Sequence, residues 1–141
     1  MIDAELLIKT LLDRDTPEGV LILPAIDGIE YPGVFPLMTF AVSVGQAIDN
    51  HAPPAGWEAT LDLNIIDDDL DDAKALAFAV YDAVWAWADP FSPSVGIVAN
   101  VGSVNDVGDN SIFTRVSTVE VESKWVTQYA GSFGLTLRPP H

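Results

Sequence analysis

The sequence predicts an α+β domain: a mostly antiparallel or mixed sheet of about four to five strands covered by one long helix, with a short N-terminal helix and an extended C-terminal arm over 129–141. Three observations carry this. Trp57 to Ile66 alternates cleanly, with Ala59, Leu61, Leu63 and Ile65 on one side and Thr60, Asp62 and Asn64 on the other, the mark of a strand with one wet face. Leu70 to Ala88 repeats apolar residues at helical spacing behind an acidic run. The chain has 141 residues, 49% of them apolar, which is enough to bury the core of a single domain.

Taken in order, Ile2 to Leu12 reads as a short amphipathic helix, with Leu7, Ile8, Leu11 and Leu12 on one face. Asp3 and Glu5 suit the positive end of its dipole, and Pro17 and Gly19 stop it. Val20 to Leu23 is a brief apolar strand ended by Pro24. Ala25 to Pro36 holds prolines and glycines and reads as a loop or flap. Leu37 to Val44 is apolar enough for a buried strand, and the segment from Gly45 to Gly56, with Pro53-Pro54, is too long for a tight turn. After the helix, closed by Asp89-Pro90, Val95 to Val104 and Ile112 to Thr127 read as strands joined by the polar loop Asn105 to Ser111. Apolar parity changes within the second of these, which predicts either a bulge near Ser117 or a start buried on both faces. The order is α-β-β-β-α-β-β in one domain spanning 1–141, without repeats or a linker.

Charge narrows the function. The chain carries 21 acidic and 6 basic side chains, a formal net charge of -15, while its mean hydropathy is positive at +0.27. Nucleic-acid binding draws its affinity from Lys and Arg displacing counterions, so this composition excludes it as an ordinary mode. Anionic membrane surfaces are disfavoured on the same grounds. With no cysteine, neither disulfides nor thiolate metal sites nor a Cys nucleophile arise. The opening residues lack a signal-peptide pattern, and no apolar run approaches the roughly 20 residues that cross a bilayer.

No chemical motif survives inspection. An EF-hand loop beginning at Asp67 would need Gly and Glu where the chain has Asp72 and Phe78. The run reads instead as a helix start, with Asp68 or Asp69 as N-cap and its neighbours complementing the dipole; adventitious divalent binding is the remaining alternative. His51 and His141 sit far from any triad or metal spacing. Gly96, Gly102 and Gly108 match no phosphate loop, and Glu120, Glu122 and Lys124 form an ordinary solvated ladder. The sequence therefore predicts no enzyme, no metal and no cofactor. The helix is more telling, because Lys74, Phe78, Asp82 and Trp85 make a second stripe, with Trp87 close to the first. Phe78 and Trp85 lie about 10 Å apart along the axis on nearly one side. Such a stripe is either a second core layer or a subunit interface, and both readings stand at this point. Candidate interface residues are Phe78, Asp82, Trp85, Trp87, Tyr129 and Phe133.

A short N-terminal helix leads into Phe35-Pro36-Leu37-Met38-Thr39-Phe40 and Trp57-Glu58-Ala59-Thr60-Leu61-Asp62-Leu63. An Asp-capped Ala-rich helix over Ala73 to Val84 follows, and then a long strand with Arg115 and Val116-Ser117-Thr118-Val119-Glu120-Val121. In this order of elements the chain resembles the small tail-terminator and neck proteins of long-tailed bacteriophages. The resemblance implies a structural virion protein, made in the host cytoplasm, that forms a ring of about six copies on the tail tube. That ring would end tube polymerisation and present the surface that joins tail to head. It further implies contacts with the tail-tube protein and with the head connector or stopper, and DNA passing through without specific binding. Acidity suits such a lumen, since like charge keeps the polyanion from adhering. Asp67, Asp71, Asp72, Asp106 and Asp109 are the candidates for that repelling surface, and the C-terminal arm could exchange between subunits by strand addition. Three alternatives remain beside it: another connector or stopper, a tail-tube protein, and, in a different class, a monomeric acidic binding module that mimics DNA.

Overall fold

A computed structural model describes residues 2–25, 34–121 and 124–140 as an α+β domain with two helices and a six-stranded mixed sheet. The elements are α1 (Ala4–Asp15), β1 (Leu21–Pro24), β2 (Leu37–Ala47), β3 (Trp57–Asp67), α2 (Leu70–Ala86), β4 (Ile97–Val98), β5 (Gly102–Val121) and β6 (Lys124–Arg138). Strand order is β1-β2-β3-β6-β5-β4, with β1 parallel to β2 and every other pair antiparallel. Of the loop or flap predicted over Ala25 to Pro36, residues 26–33 lie outside the described residues, as do His141 and the side chains of Glu120, Glu122 and Lys124.

Local sequence accounts for both helices. Asp3 caps α1 by accepting from the Leu6 N–H at 3.1 Å, and Leu7, Ile8, Leu11 and Leu12 are buried as their spacing predicts. Of the two candidate caps of α2, Asp69 is the cap: its Oδ1 accepts from the Asp72 N–H at 2.9 Å. Ala73, Leu76, Ala77, Val80 and Val84 form the buried stripe of α2. Both helices feed one core with Phe40, Leu61, Leu63, Ile65, Phe133, Leu135 and Leu137 of the sheet. The sheet curls, so that α1 touches strands at both of its ends. The expected single covering helix is thus a pair, with α2 over β3, β5 and β6 and α1 over the outer strands.

The second half of the chain departs most from expectation. Val95 to Val104 is not one strand: it contains the two-residue β4, a tight turn and the start of β5. Asn105 to Ser111 is no loop but the middle of β5, its polar side chains tolerated because much of that strand is exposed. Ile112 to Thr127 spans the end of β5 and the start of β6, so the expected single strand is a hairpin. The predicted arm is extended but not free. Tyr129 to Arg138 lies between β3 and β5, with Phe133 and Leu137 at 0% exposure, so it cannot exchange without opening the sheet. The register of β5 shifts between Arg115 and Ser117, where the parity change predicted a bulge.

A smaller apolar cluster of Leu37, Ile66 and Val126 holds the opposite face at one end of the sheet. Among the described residues that face also carries the polar Thr60, Asp62 and Asn64 of β3. No helix among the described residues is long and apolar enough to cross a membrane.

Candidate subunit interface

Among the described residues nothing covers the apolar outward side of α2. Phe78 is 57% exposed and Trp85 39%, with Lys74 and Asp82 exposed on the same stripe. Next to them β5 contributes Ile112, 59% exposed, and the half-buried Phe113. Strict strand alternation would send these two neighbours to opposite faces. Between Ser111 and Thr114, however, β5 advances three residues while β6 advances two, from Ser132 to Ala130. The extra residue lets Ile112 and Phe113 line the same hollow, together with Phe78 and Tyr81. That hollow has a volume of ≈ 220 Å³ and an almost wholly apolar wall.

The ledge is rooted in the core rather than laid on it. The Tyr81 hydroxyl donates to Asp109 Oδ2 at 2.8 Å, and Trp85 Nε1 donates to Asp109 Oδ1 at 3.0 Å. One carboxylate thereby fixes two aromatic rings, and its hydrogen bond raises the pKa of the Tyr81 phenol above the ordinary value, with burial adding to the effect. Tyr81 and Phe113 each pack against Phe133 with ring centroids 5.9 Å apart. Gly131 makes room for this: a Cβ there would stand 2.9 Å from Phe113. The rings are thus preorganised, which lowers the ordering cost of any partner that covers them.

Other candidates fall elsewhere. Trp87 and Phe133 are both at 0% exposure and belong to the core, because Trp87 closes α2 under α1 and Phe133 faces inward from β6; neither can meet another subunit. Tyr129 is half-buried against the core. Asp67 is 5% exposed at the end of β3, so it is not part of an acidic surface. Asp71 and Asp72 are exposed in the first turn of α2, Asp106 is exposed on β5, and Asp109 is tied to the aromatic ledge. Sequence reasoning missed Ile112 and Phe113, whose only signal was two adjacent apolar residues in a polar stretch. His51 is exposed in the β2–β3 connection, 3.2 Å from Asp49. Among the described residues no group of three or more His, Cys, Asp or Glu could hold a metal ion.

The uncovered face of the sheet is acidic and shallow. A trough of ≈ 630 Å³ runs over Ser43, Glu58, Thr60, Asp106, Asn110 and Thr136. A second hollow of ≈ 400 Å³ includes Asp62, Asn64, Ser111 and Ser132 in its lining. Among the described residues that line either one, none is Lys or Arg, so Glu58, Asp62 and Asp106 act unopposed on anything that approaches. Gln128 Nε2 donates to Asn64 Oδ1 at 2.9 Å, one of the few ties on this floor.

No known protein-family pattern matches the chain, and no curated protein does. One solved structure aligns over 94% of this chain and 96% of its own with 10% identity and a TM-score of 0.42. A likeness of that depth adds nothing to the reading of fold or function.

Proposed function

We propose that the protein is a ring-forming structural component of a long-tailed phage virion, acting as a tail terminator that caps the tube and joins it to the head. The observation that carries the reading is the preorganised aromatic ledge of Phe78, Tyr81, Trp85, Ile112 and Phe113, exposed on a chain whose net charge of -15 otherwise favours solvation. Apolar patches rimmed by charge are protein-docking surfaces, and aromatic anchors supply most of the energy there. Self-association of this kind gives a ring when the rotation closes, and the resemblance to tail terminators implies about six copies. The floor with Glu58, Asp62 and Asp106 suits a wall along which DNA slides without adhering. Its partners are then further copies of itself, the tail-tube protein and the head connector or stopper, and its place is the virion neck.

A second reading rests on the same floor, whose carboxylates could occupy a basic nucleic-acid site on another protein. Light scattering after gel filtration, with negative-stain imaging of any large peak, separates the two. A discrete ring supports the terminator. A chain that is monomeric at every concentration and salt, and captures a basic partner, supports the acidic binding module.

A further inference from the structure

The ledge has a counterpart on the same molecule. Phe91 is 94% exposed at the tip of the connection between α2 and β4, flanked by Pro90 and Pro93. An aromatic ring held in water is ordinarily on a loose loop, but this one is braced. The Phe91 N–H donates to Asp89 Oδ1 at 2.9 Å, the Ser92 N–H to the Asp89 carbonyl at 3.1 Å, and the Gly96 N–H to the Trp87 carbonyl at 2.9 Å. From the other side Arg14 Nη2 donates to the Ser94 carbonyl at 2.8 Å while gripping Asp15, which also accepts from Trp87 Nε1 at 2.8 Å. A Cβ on Gly96 would lie 2.8 Å from that of Trp87, so the loop is pressed onto the core.

We propose that Phe91 of one copy enters the hollow between Phe78, Tyr81, Ile112 and Phe113 of the next, making the ring contact a head-to-tail knob and pocket. This rests on the ring reading given above. Size agrees, since apolar cavities of about 150 Å³ take up a benzene ring and the hollow measures ≈ 220 Å³. Charge agrees at one point of a rim that also carries Asp82 and Asp109. Lys74, with its Nζ 5.8 Å from the Phe78 ring, borders the pocket and has no ion pair among the described residues. Asp89, exposed beside the knob, brings the opposite charge. Knob and pocket stand at different places on one chain, so the contact is heterologous and propagates until the ring closes. The knob's backbone is braced and the Tyr81 and Phe113 rings are packed before contact, so the ordering left to be done is that of the Phe91 and Phe78 rotamers.

The test uses full chains and sedimentation velocity at high salt. Phe91→Asp removes the knob and Ile112→Asp blocks the pocket; both sites are exposed, so circular dichroism should show each variant folded. Each alone is expected to be a monomer. Mixed in equal amounts, they should form a dimer and nothing larger, because the only intact knob meets the only intact pocket. Lys74→Asp in the pocket-bearing chain should weaken that dimer when the run is repeated at about 0.1 M salt, where the charge is least screened. If either single variant still forms the wild-type ring, the contact is overturned while the ring stands. Two monomeric variants that fail to complement also overturn it. A wild type that stays monomeric at every concentration and salt overturns the ring reading and this contact together.

Discussion

At the scale of single residues, two buried polar contacts decide how stability responds to substitution and to pH. Trp87 is fully buried, and its ring nitrogen is held by Asp15, itself paired with Arg14. Trp87→Ala should cost about 3–5 kcal/mol, the range for emptying a large aromatic site. Trp87→Phe, which keeps most of the volume and loses the hydrogen bond to a charged acceptor, should cost about 1.5–3 kcal/mol. Urea midpoints of the three chains check both. Asp67 behaves differently. Burial, reinforced by the hydrogen bond it shares with Asp68, raises its pKa from 3.8 to about 6, although the N–H groups of Asp68 and Asp69 pull the other way. The folded chain therefore holds this proton more tightly than the unfolded one. The stability from this group is fully present below 3.8 and lost as pH rises through about 6. Asp67→Asn should therefore gain stability over the wild type at about pH 7.5 and much less at about pH 4. A pH-independent difference in urea midpoint would remove Asp67 as the source.

At the scale of elements, α2 separates its two stripes by burial, and the separation is testable. Because Phe78 and Trp85 are exposed, the double substitution Phe78→Ser with Trp85→Ser should leave a folded chain, at a cost of about 0.5–1.5 kcal/mol for the Trp85–Asp109 hydrogen bond. Assembly should be lost. A thermal melt that collapses instead would place the two rings in the core. The helix positions were legible because helical periodicity and the Asp run are local signals. The strand β3 was legible for the same reason, its alternation matching the burial of Ala59, Leu61, Leu63 and Ile65. What failed was non-local. Asn105 to Ser111 looks like a loop because its side chains meet solvent, yet its backbone pairs with 132–136 in β6. The C-terminal strand carried a readable period in Phe133, Leu135 and Leu137, masked by the glycines at 131 and 134 that make room for Phe113 and Asn110. The pocket was out of reach for a related reason: a bulge brings Ile112 and Phe113 together, and nothing in the local pattern places the Phe78 ring beside them.

At the scale of the whole molecule, charge and apolar surface oppose each other, and salt decides the balance. A ring of about six copies would gather about 90 formal negative charges, six times 15. Repulsion acts across every interface at once, whereas the Lys74–Asp89 attraction proposed above is one short pair at the rim. Screening therefore removes more repulsion than attraction. The Debye length falls from about 10 Å at 0.1 M salt to about 3 Å at 1 M, so sedimentation should show the ring gaining on the monomer over that interval. Sulfate also strengthens apolar burial by exclusion from the surface, so sodium chloride is the cleaner probe of screening. Acid should act in the same direction, because the carboxylates discharge as the pH falls towards the pI of ≈ 4.1. A complex held by charge complementarity, such as the acidic floor docked on a basic partner, behaves in the opposite way and loosens as salt rises. If added chloride dissolves a self-assembled ring, its contacts are electrostatic and the aromatic ledge is not what closes it.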